Sequence, residues 1–463
     1  MERILTGDSV KYLDQKIKVS GWVSARRDHG KLIFLDLRDR TSIVQLVLNP
    51  KVSEEAHATA EEIRNEFVIE AEGIVKKRAS HLVNPNIETG TIEMEVTNLT
   101  ILSRAKTLPF ELEDTKKINE EARLKYRYLD LRSARMAKNI RLRHKVTILV
   151  REFLNKEGFV EIETPMLTKT SPEGARDFLV PSRLQPGKFY ALPQAPQQYK
   201  QLLMIAGFEK YYQLARAMRD EDLRGDRQLE HTQIDMEMSF VKERDVLDVV
   251  ENMFIKVVES LGKKSWKKPF PVFIHEEAVK KFGADKFDMR PENERDPNVF
   301  AFAWVVDFPL FEWSEEEKRY TFAHNPFSAP KKEFMQDLLD KKNIGDILTS
   351  QYDIVLNGWE IGAGSIRNHQ PEALEAVFEI MGFEKERIGE NFGHMLEAFS
   401  FGAPPHGGIA WGIDRLIALL NGEPNIREVM AFPKTGDARD LMMDGPSEIS
   451  KEQLRELKIK TDK

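Results

Sequence analysis

The stretch Arg219-Asp220-Glu221-Asp222-Leu223-Arg224 predicts the end of a strand and a charged loop, and a returning strand follows over residues 233–237. A second stretch, Gly412-Ile413-Asp414-Arg415-Leu416, predicts a glycine-containing strand that enters a helix at its arginine. Neither arginine lies in a run of solvated charges. Arginines fixed at the ends of elements can hold phosphate groups. The two stretches therefore predict a phosphate site in a domain built from strands and helices.

Residues 232–240 alternate between polar and apolar side chains, as a strand requires. One predicted face carries Gln233, Asp235, Glu237 and Ser239, and the other carries Ile234, Met236, Met238 and Phe240. In a central strand such an acidic face favours the floor of a site, to which the preceding strand delivers Arg219. The alternative is an edge strand with a solvated polar face.

A hairpin is predicted around the two-residue turn Asn357-Gly358. The turn places Val355 opposite Glu360 and Asp353 opposite Gly362, so that the two acids share a face, one diagonal step apart. Carboxylates in this arrangement can hold Mg²⁺ against phosphate groups. Two solvated acids remain the alternative.

The first part of the chain alternates in five short segments, over residues 17–23, 32–37, 43–48, 67–73 and 91–96, with a helix near 53–64. This order predicts an OB-like barrel, and another small β-barrel is the alternative. Residues 104–135 are charged and lack a period, which is typical of a hinge. A helix follows with apolar residues at helical spacing, at Val146, Leu149, Val150, Phe153 and Leu154.

Composition excludes several classes of protein. The chain has 463 residues, a net charge of −7 and a pI near 5.9, which argue against a general nucleic-acid coater. It has no cysteine, so disulfides and thiolate metal sites are excluded. No segment approaches the roughly 18 apolar residues of a membrane span, and a cytoplasmic protein is the simplest expectation.

With these motifs in place, the chain resembles the class II aminoacyl-tRNA synthetases, and among them the aspartyl-tRNA synthetases of bacterial type. The resemblance covers nearly the whole chain and includes Arg38-Asp39-Arg40, residues 170–178, 194–201, 219–224 and 357–362, and the run 404–415. It implies an α+β fold with an N-terminal OB-fold barrel and a class II catalytic domain built on an antiparallel sheet flanked by helices. The implied domains are an anticodon-binding domain (1–103), a linker (104–135), a catalytic domain (136–455) and a tail (456–463).

The resemblance implies ATP-dependent activation of L-aspartate to aspartyl-adenylate, followed by transfer to the terminal ribose of tRNA(Asp). It also implies a cytoplasmic homodimer that uses Mg²⁺. The residues it assigns to ATP are Arg219, Glu221, Gln228, Glu360, Gly412, Ile413, Asp414 and Arg415, with Arg219 and Arg415 catalytic. Those assigned to aspartate are Glu173, Gln197, Lys200, Arg219, Asp235, His324 and Arg367, and those assigned to the metal are Asp353 and Glu360.

Candidate anticodon residues in the barrel are Phe34, Gln45 and Glu93, together with Arg26 and His29. Phe34 can stack on a splayed base, and a plain barrel-core aromatic is the alternative. Members of the family that also charge tRNA(Asn) often carry a histidine at the position of His29, where a compact neutral ring tolerates either third anticodon base. We therefore expect tRNA(Asn) as a second substrate, and a solvated loop histidine is the alternative.

Two departures from the family pattern are visible. Bacterial members carry a large inserted domain, which is reduced here to a short connection near 282–304. The family's frequent His-His-Pro-Phe is His324-Asn325-Pro326-Phe327 in this chain. The rival functions are an asparaginyl or a lysyl synthetase, a tRNA-independent aspartate-adenylating ligase such as an asparagine synthetase, and a pure OB-type binding protein.

Overall fold

The alternating side chains of residues 16–103 form a closed five-stranded barrel in the computed structural model, which describes residues 1–170 and 174–461. Apolar side chains of alternate positions, such as Val19, Leu35 and Met94, are fully buried inside it. The strands pair in the order β1-β2-β3-β5-β4. The elements are β1 (Lys16–His29), β2 (Leu32–Arg38), β3 (Ile43–Leu48), α1 (Glu54–Glu62), β4 (Val68–Lys77) and β5 (Ile92–Ser103). The predicted barrel is confirmed.

The second unit begins at Leu112, and the first ends at Glu111. The predicted hinge over 104–135 therefore differs from the structure, because two short helices, α2 (Glu120–Lys125) and α3 (Arg127–Asp130), belong to the second unit. Buried arginines anchor them: Arg123 donates to Glu428 at 2.7 and 2.9 Å, and Arg127 donates to Asp130 at 2.6 Å. Charge runs resemble linkers in sequence, but here they form buried ion pairs.

A sheet of eight strands forms the centre of the second unit, in the order β12-β14-β17-β18-β19-β10-β9-β6. Most neighbours are antiparallel, as predicted, whereas the outer pairs β12–β14 and β6–β9 are parallel. The first half of the unit contains α4 (Ala134–Lys156), β6 (Val160–Glu161), β7 (Leu179–Pro181), β8 (Phe189–Ala191), α5 (Gln197–Ile205), β9 (Lys210–Met218), β10 (Glu230–Ser239), α6 (Glu243–Ser260), β11 (Lys264–Ser265), β12 (Val272–Ile274) and α7 (His275–Phe282).

The second half contains the remaining elements. They are β13 (Val299–Phe300), β14 (Phe302–Val306), β15 (Phe311–Ser314), β16 (Arg319–Phe322), α8 (Met335–Asp340), β17 (Gln351–Leu356), β18 (Trp359–Ile366), α9 (Pro371–Ile380), α10 (Lys385–Ser400), β19 (His406–Gly412), α11 (Ile413–Asn421) and α12 (Lys451–Leu457). Residues 283–298 join α7 to β13 as a short connection within the range 282–304. In the described part of the chain, no helix is long and apolar enough to cross a membrane.

Helices α4, α6 and α11 cover the apolar face of β10. Ile234, Met236 and Met238 lie in one core with Val150 and Leu416, which confirms the predicted faces up to Met238. Phe240 was expected on the same face and is instead 68% exposed, because β10 ends at Ser239 and the backbone turns at Phe240 with φ of +60°. The polar face of β10 is left for the site.

The hairpin of β17 and β18 contains an irregularity that the sequence pattern did not predict. Val355 pairs with Glu360, as expected, but Asp353 pairs with Ala363 and not with Gly362. The register shifts at Ile354 and Val355, because β18 carries one extra residue, Ile361, in a β-bulge. Across this bulge, the charge of Glu360 still raises the pKa of Asp353, after the larger effect of burial.

Candidate active site

A cavity of about 290 Å³ opens beside β10, β18 and β19, and the two arginines that decided the fold both line it. Arg219 follows the end of β9, and Arg415 lies in the first turn of α11. The other lining side chains are mostly polar, and include Glu221, Asp226, Gln228, His231, Gln233, Lys286 and Glu360. Two elements distant in sequence thus deliver cations to one concave site.

Hydrogen bonds hold Arg415 in place before any ligand binds. Its Nη1 donates to the carbonyl of Glu360 at 2.9 Å, and its Nη2 donates to the Asp226 carboxylate at 3.1 Å. Arg219 Nε donates to the carbonyl of Gln194 at 3.5 Å. Side chains oriented in this way need little rearrangement when they bind an anion, which favours phosphate binding and charge stabilisation.

His231 is a cavity residue that the sequence analysis did not single out. Burial first, and then the charges of Arg219 and Arg415, lower the pKa of its imidazole to about 3, so the ring is neutral at physiological pH. A neutral ring between two cations offers a flat surface without adding charge. The alternation of side chains along β10 could have indicated this position, because His231 is two residues before Gln233 and is expected on the same face of the strand.

The remaining residues assigned to ATP occupy different positions around the cavity. Gly412 lines it directly, and Gln228 lines it while accepting a hydrogen bond from the backbone N–H of Lys434 at 3.0 Å. Glu221 pairs with Arg227 at 3.2 Å. Asp414 is buried and accepts hydrogen bonds from Arg143 and from the backbone N–H of Thr232, so its side chain supports the start of α11. The side chain of Ile413 lies in the hydrophobic core.

Four buried charges form a cluster on and around the polar face of β10. Lys200 Nζ lies 2.8 Å from Asp235 Oδ2 and 3.4 Å from Glu237 Oε2. Arg367 donates two hydrogen bonds to the Glu237 carboxylate, of 2.8 and 3.0 Å. The structure therefore brings Lys200, Asp235 and Arg367 together, as the resemblance implied, and adds Glu237 as the residue that joins the two cations.

The two acids of this cluster differ in their electrostatics. Burial raises the pKa of Asp235, although Lys200 opposes the shift. Burial acts in the same direction on Glu237, but Arg367 and Lys200 outweigh it and hold the pKa of Glu237 below its ordinary value. Asp235 Oδ1 is buried and has no hydrogen-bond partner among the residues described. That oxygen can accept a hydrogen bond from the ammonium group of a bound amino acid.

A glycine in β19 makes room for this cluster. A Cβ at Gly408 would overlap both the carbonyl oxygen of Met236 and the carboxylate of Glu237. Any other residue would therefore displace the acid on which Lys200 and Arg367 converge. The run of glycines before Arg415 thus lets β19 approach β10 closely at the charged cluster.

The other residues assigned to aspartate have surroundings that differ from one residue to the next. Gln197 begins α5 and donates to Gln201 at 3.0 Å. His324 has Glu360 and Lys286 among its electrostatic neighbours, so it lies near the carboxylate pair of the β17–β18 hairpin. Its aspartate role stays a prediction. Glu173 lies outside the described residues.

The carboxylate pair of Asp353 and Glu360 fits a divalent cation. Burial and the neighbouring charge of Glu360 raise the pKa of Asp353 well above its ordinary value. Burial acts likewise on Glu360, but Lys286 and then Arg415 hold its pKa lower. A cation beside both acids would relieve this repulsion. Among the described residues, no three or more His, Asp or Glu side chains form a group that could hold a metal ion by themselves.

The barrel carries its own polar surface. Arg27 binds Asp36 with two hydrogen bonds of 2.7 Å, and Gln45 donates to Glu93 at 3.3 Å. Phe34 is partly exposed and lies outside the barrel core, so the structure argues against the alternative of a core aromatic.

Arg26 and His29, which lie near the end of β1 and were also assigned to the anticodon, are both on this surface. The ring of His29 meets that of Phe34 edge to face, with centroids 6.0 Å apart. Arg26 donates to Asp28 at 2.9 Å. His29 and Phe34 can therefore contact the same base of a bound nucleic acid.

Comparison with known families identifies both units. Residues 119–436 match the profile of tRNA synthetases class II (D, K and N), and residues 17–102 match that of the OB-fold nucleic acid binding domain. Among solved structures, an asparaginyl-tRNA synthetase from Pyrococcus horikoshii superposes with a TM-score of 0.76 at 21% identity, covering 94% of this chain and 98% of that one. The aspartyl-tRNA synthetase of Entamoeba histolytica gives 0.72 at 22% identity, covering 91% and 89%. These likenesses show the fold.

Curated relatives are considerably closer in sequence. The aspartate–tRNA(Asp/Asn) ligase of Caldanaerobacter subterraneus is 43% identical, covering 98% of this chain and 97% of its own length. The aspartate–tRNA ligase of Staphylococcus saprophyticus is 41% identical, covering 97% of each. The first alignment spans 575 positions against 463 residues here, so at least 112 positions of that relative have no counterpart in this chain. The chain belongs to the class II tRNA synthetases (D, K and N), and within them to the family of aspartate–tRNA ligases.

Proposed function

We propose that this protein is an aspartate–tRNA ligase that activates L-aspartate with ATP and transfers it to tRNA(Asp) and tRNA(Asn). The observation that carries the proposal is the buried cluster of Lys200, Arg367, Asp235 and Glu237 beside the cavity of Arg219 and Arg415. A substrate with two carboxylates and one ammonium group needs both cations and acids in its pocket. An asparaginyl enzyme does not need this pair of cations, and a lysyl enzyme needs an acidic side-chain pocket.

The chemistry follows from positioning. The α-carboxylate of aspartate attacks the α-phosphate of ATP, pyrophosphate leaves, and no nucleophile of the protein is required. Arg219 and Arg415 neutralise the charge of the phosphates from fixed positions. Asp353 and Glu360 would hold Mg²⁺, which would supply further positive charge to offset that of the phosphates. A ribose hydroxyl of the tRNA then takes the aspartyl group from the adenylate, and AMP leaves.

Pyrophosphate exchange tests the first step. With tRNA omitted, we expect ATP–pyrophosphate exchange that depends on aspartate and does not occur with asparagine or lysine. Exchange driven by asparagine or lysine in place of aspartate would refute the substrate assignment. Transfer to tRNA in a charging assay separates the ligase from a tRNA-independent aspartate-adenylating enzyme.

The second tRNA substrate is proposed from the barrel surface. Two supports converge: relatives from several bacteria are named aspartate–tRNA(Asp/Asn) ligases, and His29 lies edge to face against the exposed ring of Phe34. We expect both purified tRNAs to be aspartylated, and His29→Leu to sharpen the preference for tRNA(Asp). Aspartylation of tRNA(Asn) slower by about a thousandfold, or roughly 4 kcal/mol, would contradict the relaxed specificity.

We also propose that the enzyme is a homodimer and works in the cytoplasm, where its tRNA substrates are found. In this proposal the dimer forms through α4 and the strand after it. Ile148 and Val160, which belong to these elements, expose large apolar side chains in the single chain. Light scattering of the purified protein, compared with an Ile148→Asp/Val160→Asp variant, tests the assembly. A native mass of one chain would contradict it.

A further inference from the structure

The short connection between α7 and β13 places a lysine in the nucleotide cavity. Lys286 lines the cavity that Arg219 and Arg415 also line. Its Nζ lies 2.7 Å from Glu360 Oε2, although nearly half of the lysine side chain is exposed. Residues 283–298 form the short connection between α7 and β13, so the lysine reaches the site from a segment without an α-helix or strand of its own.

Lys286 and a divalent cation would compete for the same carboxylate. The ammonium already lies at direct ion-pair distance from Glu360. Mg²⁺ binds its oxygen ligands at about 2.0–2.1 Å and requires near-octahedral geometry, which leaves little space for an ammonium group on the same oxygen. Two cations that close to one another also repel. Binding of the metal at Glu360 therefore requires Lys286 to move.

When ATP is bound in the cavity, its phosphates offer the ammonium group of Lys286 a new partner. The polyphosphate would lie against Arg219 and Arg415, and Arg415 Nη1 is 4.0 Å from Glu360 Oε1. An ammonium released from Glu360 is thus already beside the phosphate site and needs only a rotation of its flexible side chain. Without ATP, the released ammonium would exchange its ion pair for water.

We propose that Lys286 is an exchangeable counter-ion: it neutralises Glu360 in the free enzyme and transfers to the ATP phosphates when Mg²⁺ takes Glu360. This inference rests on the proposed function, because it presumes the ATP and metal sites. It makes the two ligands interdependent. The metal alone must displace Lys286 without compensation, whereas metal and ATP together give both cations a new partner.

The first test measures metal binding without catalysis. Mn²⁺ serves as the probe, and its binding to the full-length protein is followed by electron paramagnetic resonance in the absence of ATP. Lys286→Met keeps the length of the side chain and removes its charge, and we expect Mn²⁺ to bind about tenfold more tightly. Lys280→Met, an exposed lysine on α7, is the matched control and should leave the affinity unchanged. Unchanged or weaker Mn²⁺ binding in Lys286→Met would overturn the proposal.

The second test measures the other half of the exchange. In aspartate-dependent pyrophosphate exchange, Lys286→Met should raise KM for ATP and for pyrophosphate about tenfold, as expected for one charge-assisted hydrogen bond. KM for aspartate should stay within about twofold, and Lys286→Arg should restore most of the ATP affinity. Normal KM for ATP in Lys286→Met would overturn the transfer to phosphate. Failure of the wild-type protein to exchange with aspartate would refute the proposed function instead, and the Mn²⁺ comparison would still report on Lys286.

Discussion

Arg367 has two tasks that a single substitution cannot separate. It is assigned to the substrate carboxylate, and it also neutralises the buried Glu237 through two hydrogen bonds. We therefore expect Arg367→Leu to abolish aspartate-dependent exchange and also to lower the free energy of unfolding by about 3–5 kcal/mol, because Glu237 loses its main partner. Urea unfolding and exchange assays on the same preparation measure both effects.

A double variant resolves the two tasks. Arg367→Met combined with Glu237→Gln removes the cation together with the acid it neutralises, so most of the lost stability should return. Exchange with aspartate should still be absent, since the substrate carboxylate has lost its cation. If the double variant exchanges normally, Arg367 serves only the fold.

Phe34 offers a test of the barrel surface. Because its ring is partly exposed and meets His29, Phe34→Ala should weaken charging of tRNA by the loss of one stacked base, about 1–3 kcal/mol. Pyrophosphate exchange without tRNA should be unchanged. Val52→Ala, an exposed apolar residue between β3 and α1, is the control. A parallel fall in both activities of Phe34→Ala would point to a structural role.

Sequence reasoning at this scale located the buried charges but not their partners. Lys200, Asp235 and Arg367 came from the family resemblance, and the structure brings them together. Glu237 was visible on the polar face of its strand, but its pairing with Arg367 depends on a strand 130 residues away. Lys286 lies in a segment without periodicity, so no pattern in the sequence indicates where its side chain points.

At the scale of elements, the junction of β19 and α11 limits what can fill the cavity. Gly412 has φ of −76° and ψ of 112°, which any residue adopts, and a Cβ there would meet no atom of the described residues within 4 Å. Gly412→Val should therefore fold normally and place its side chain in the cavity. We expect a melting temperature near that of the wild type and loss of ATP binding, measured by calorimetry.

The matched control for this substitution is Gly389→Ala on α10, where an added Cβ also meets open space but lies outside the cavity lining. It should bind ATP normally. Normal ATP affinity in Gly412→Val would mean that the nucleotide does not approach β19.

The β17–β18 hairpin shows how far the pairing of two strands can be predicted from the sequence. The turn at Asn357-Gly358 fixed the first pairs correctly, because two-residue turns determine the register next to them. The bulge at Ile361 then moved the partner of Asp353 by one residue. The extra residue directly precedes Gly362, and glycines inside a strand permit a bulge but do not determine which residue it adds.

On the scale of the whole molecule, one ion-pair network connects residues near the beginning of the second unit with a residue near its end. Glu428 accepts hydrogen bonds from Arg123 and Arg135, which precede it by 305 and 293 residues. Burial raises the pKa of Glu428, but Arg123 and then Arg135 outweigh it and lower the pKa to about 2. In the unfolded chain a glutamate titrates near about 4.3. The network therefore stabilises the fold fully above that value, and the stabilisation is lost as the pH falls through about 2.

Glu428→Gln should consequently destabilise the protein at pH 7, by on the order of 3 kcal/mol. The difference from the wild type should shrink as the pH is lowered from about 4.3 toward 2. Urea unfolding at a series of pH values measures it, and Glu397→Gln, an exposed glutamate on α10, is the control. A difference that stays constant over this range would rule out titration of Glu428 as its cause.

The architecture itself was largely accessible from sequence. Five alternating segments predicted the barrel, and the family resemblance implied the antiparallel sheet, of which the pattern on either side of Arg219 predicted two strands. The hinge was less accessible, since the charged residues 112–135 belong to the second unit through long-range pairs. In the sequence, a solvated run of charged residues cannot be told from a buried one until the partners of the charges are known.

The buried side chains of the barrel core lie between Ile17 and Leu99, and only partly buried residues from just outside this range pack against them. The barrel's outward side chains can therefore change without disturbing its packing. If tRNA is selected on this surface, as proposed, the barrel surface controls the accuracy of translation. On the proposed anticodon role of His29, a substitution beside it would change which codons receive aspartate while the adenylation chemistry, built from other residues, runs as before. The fidelity of the genetic code at these codons would then depend on a few exposed side chains in a small module that evolution can vary on its own.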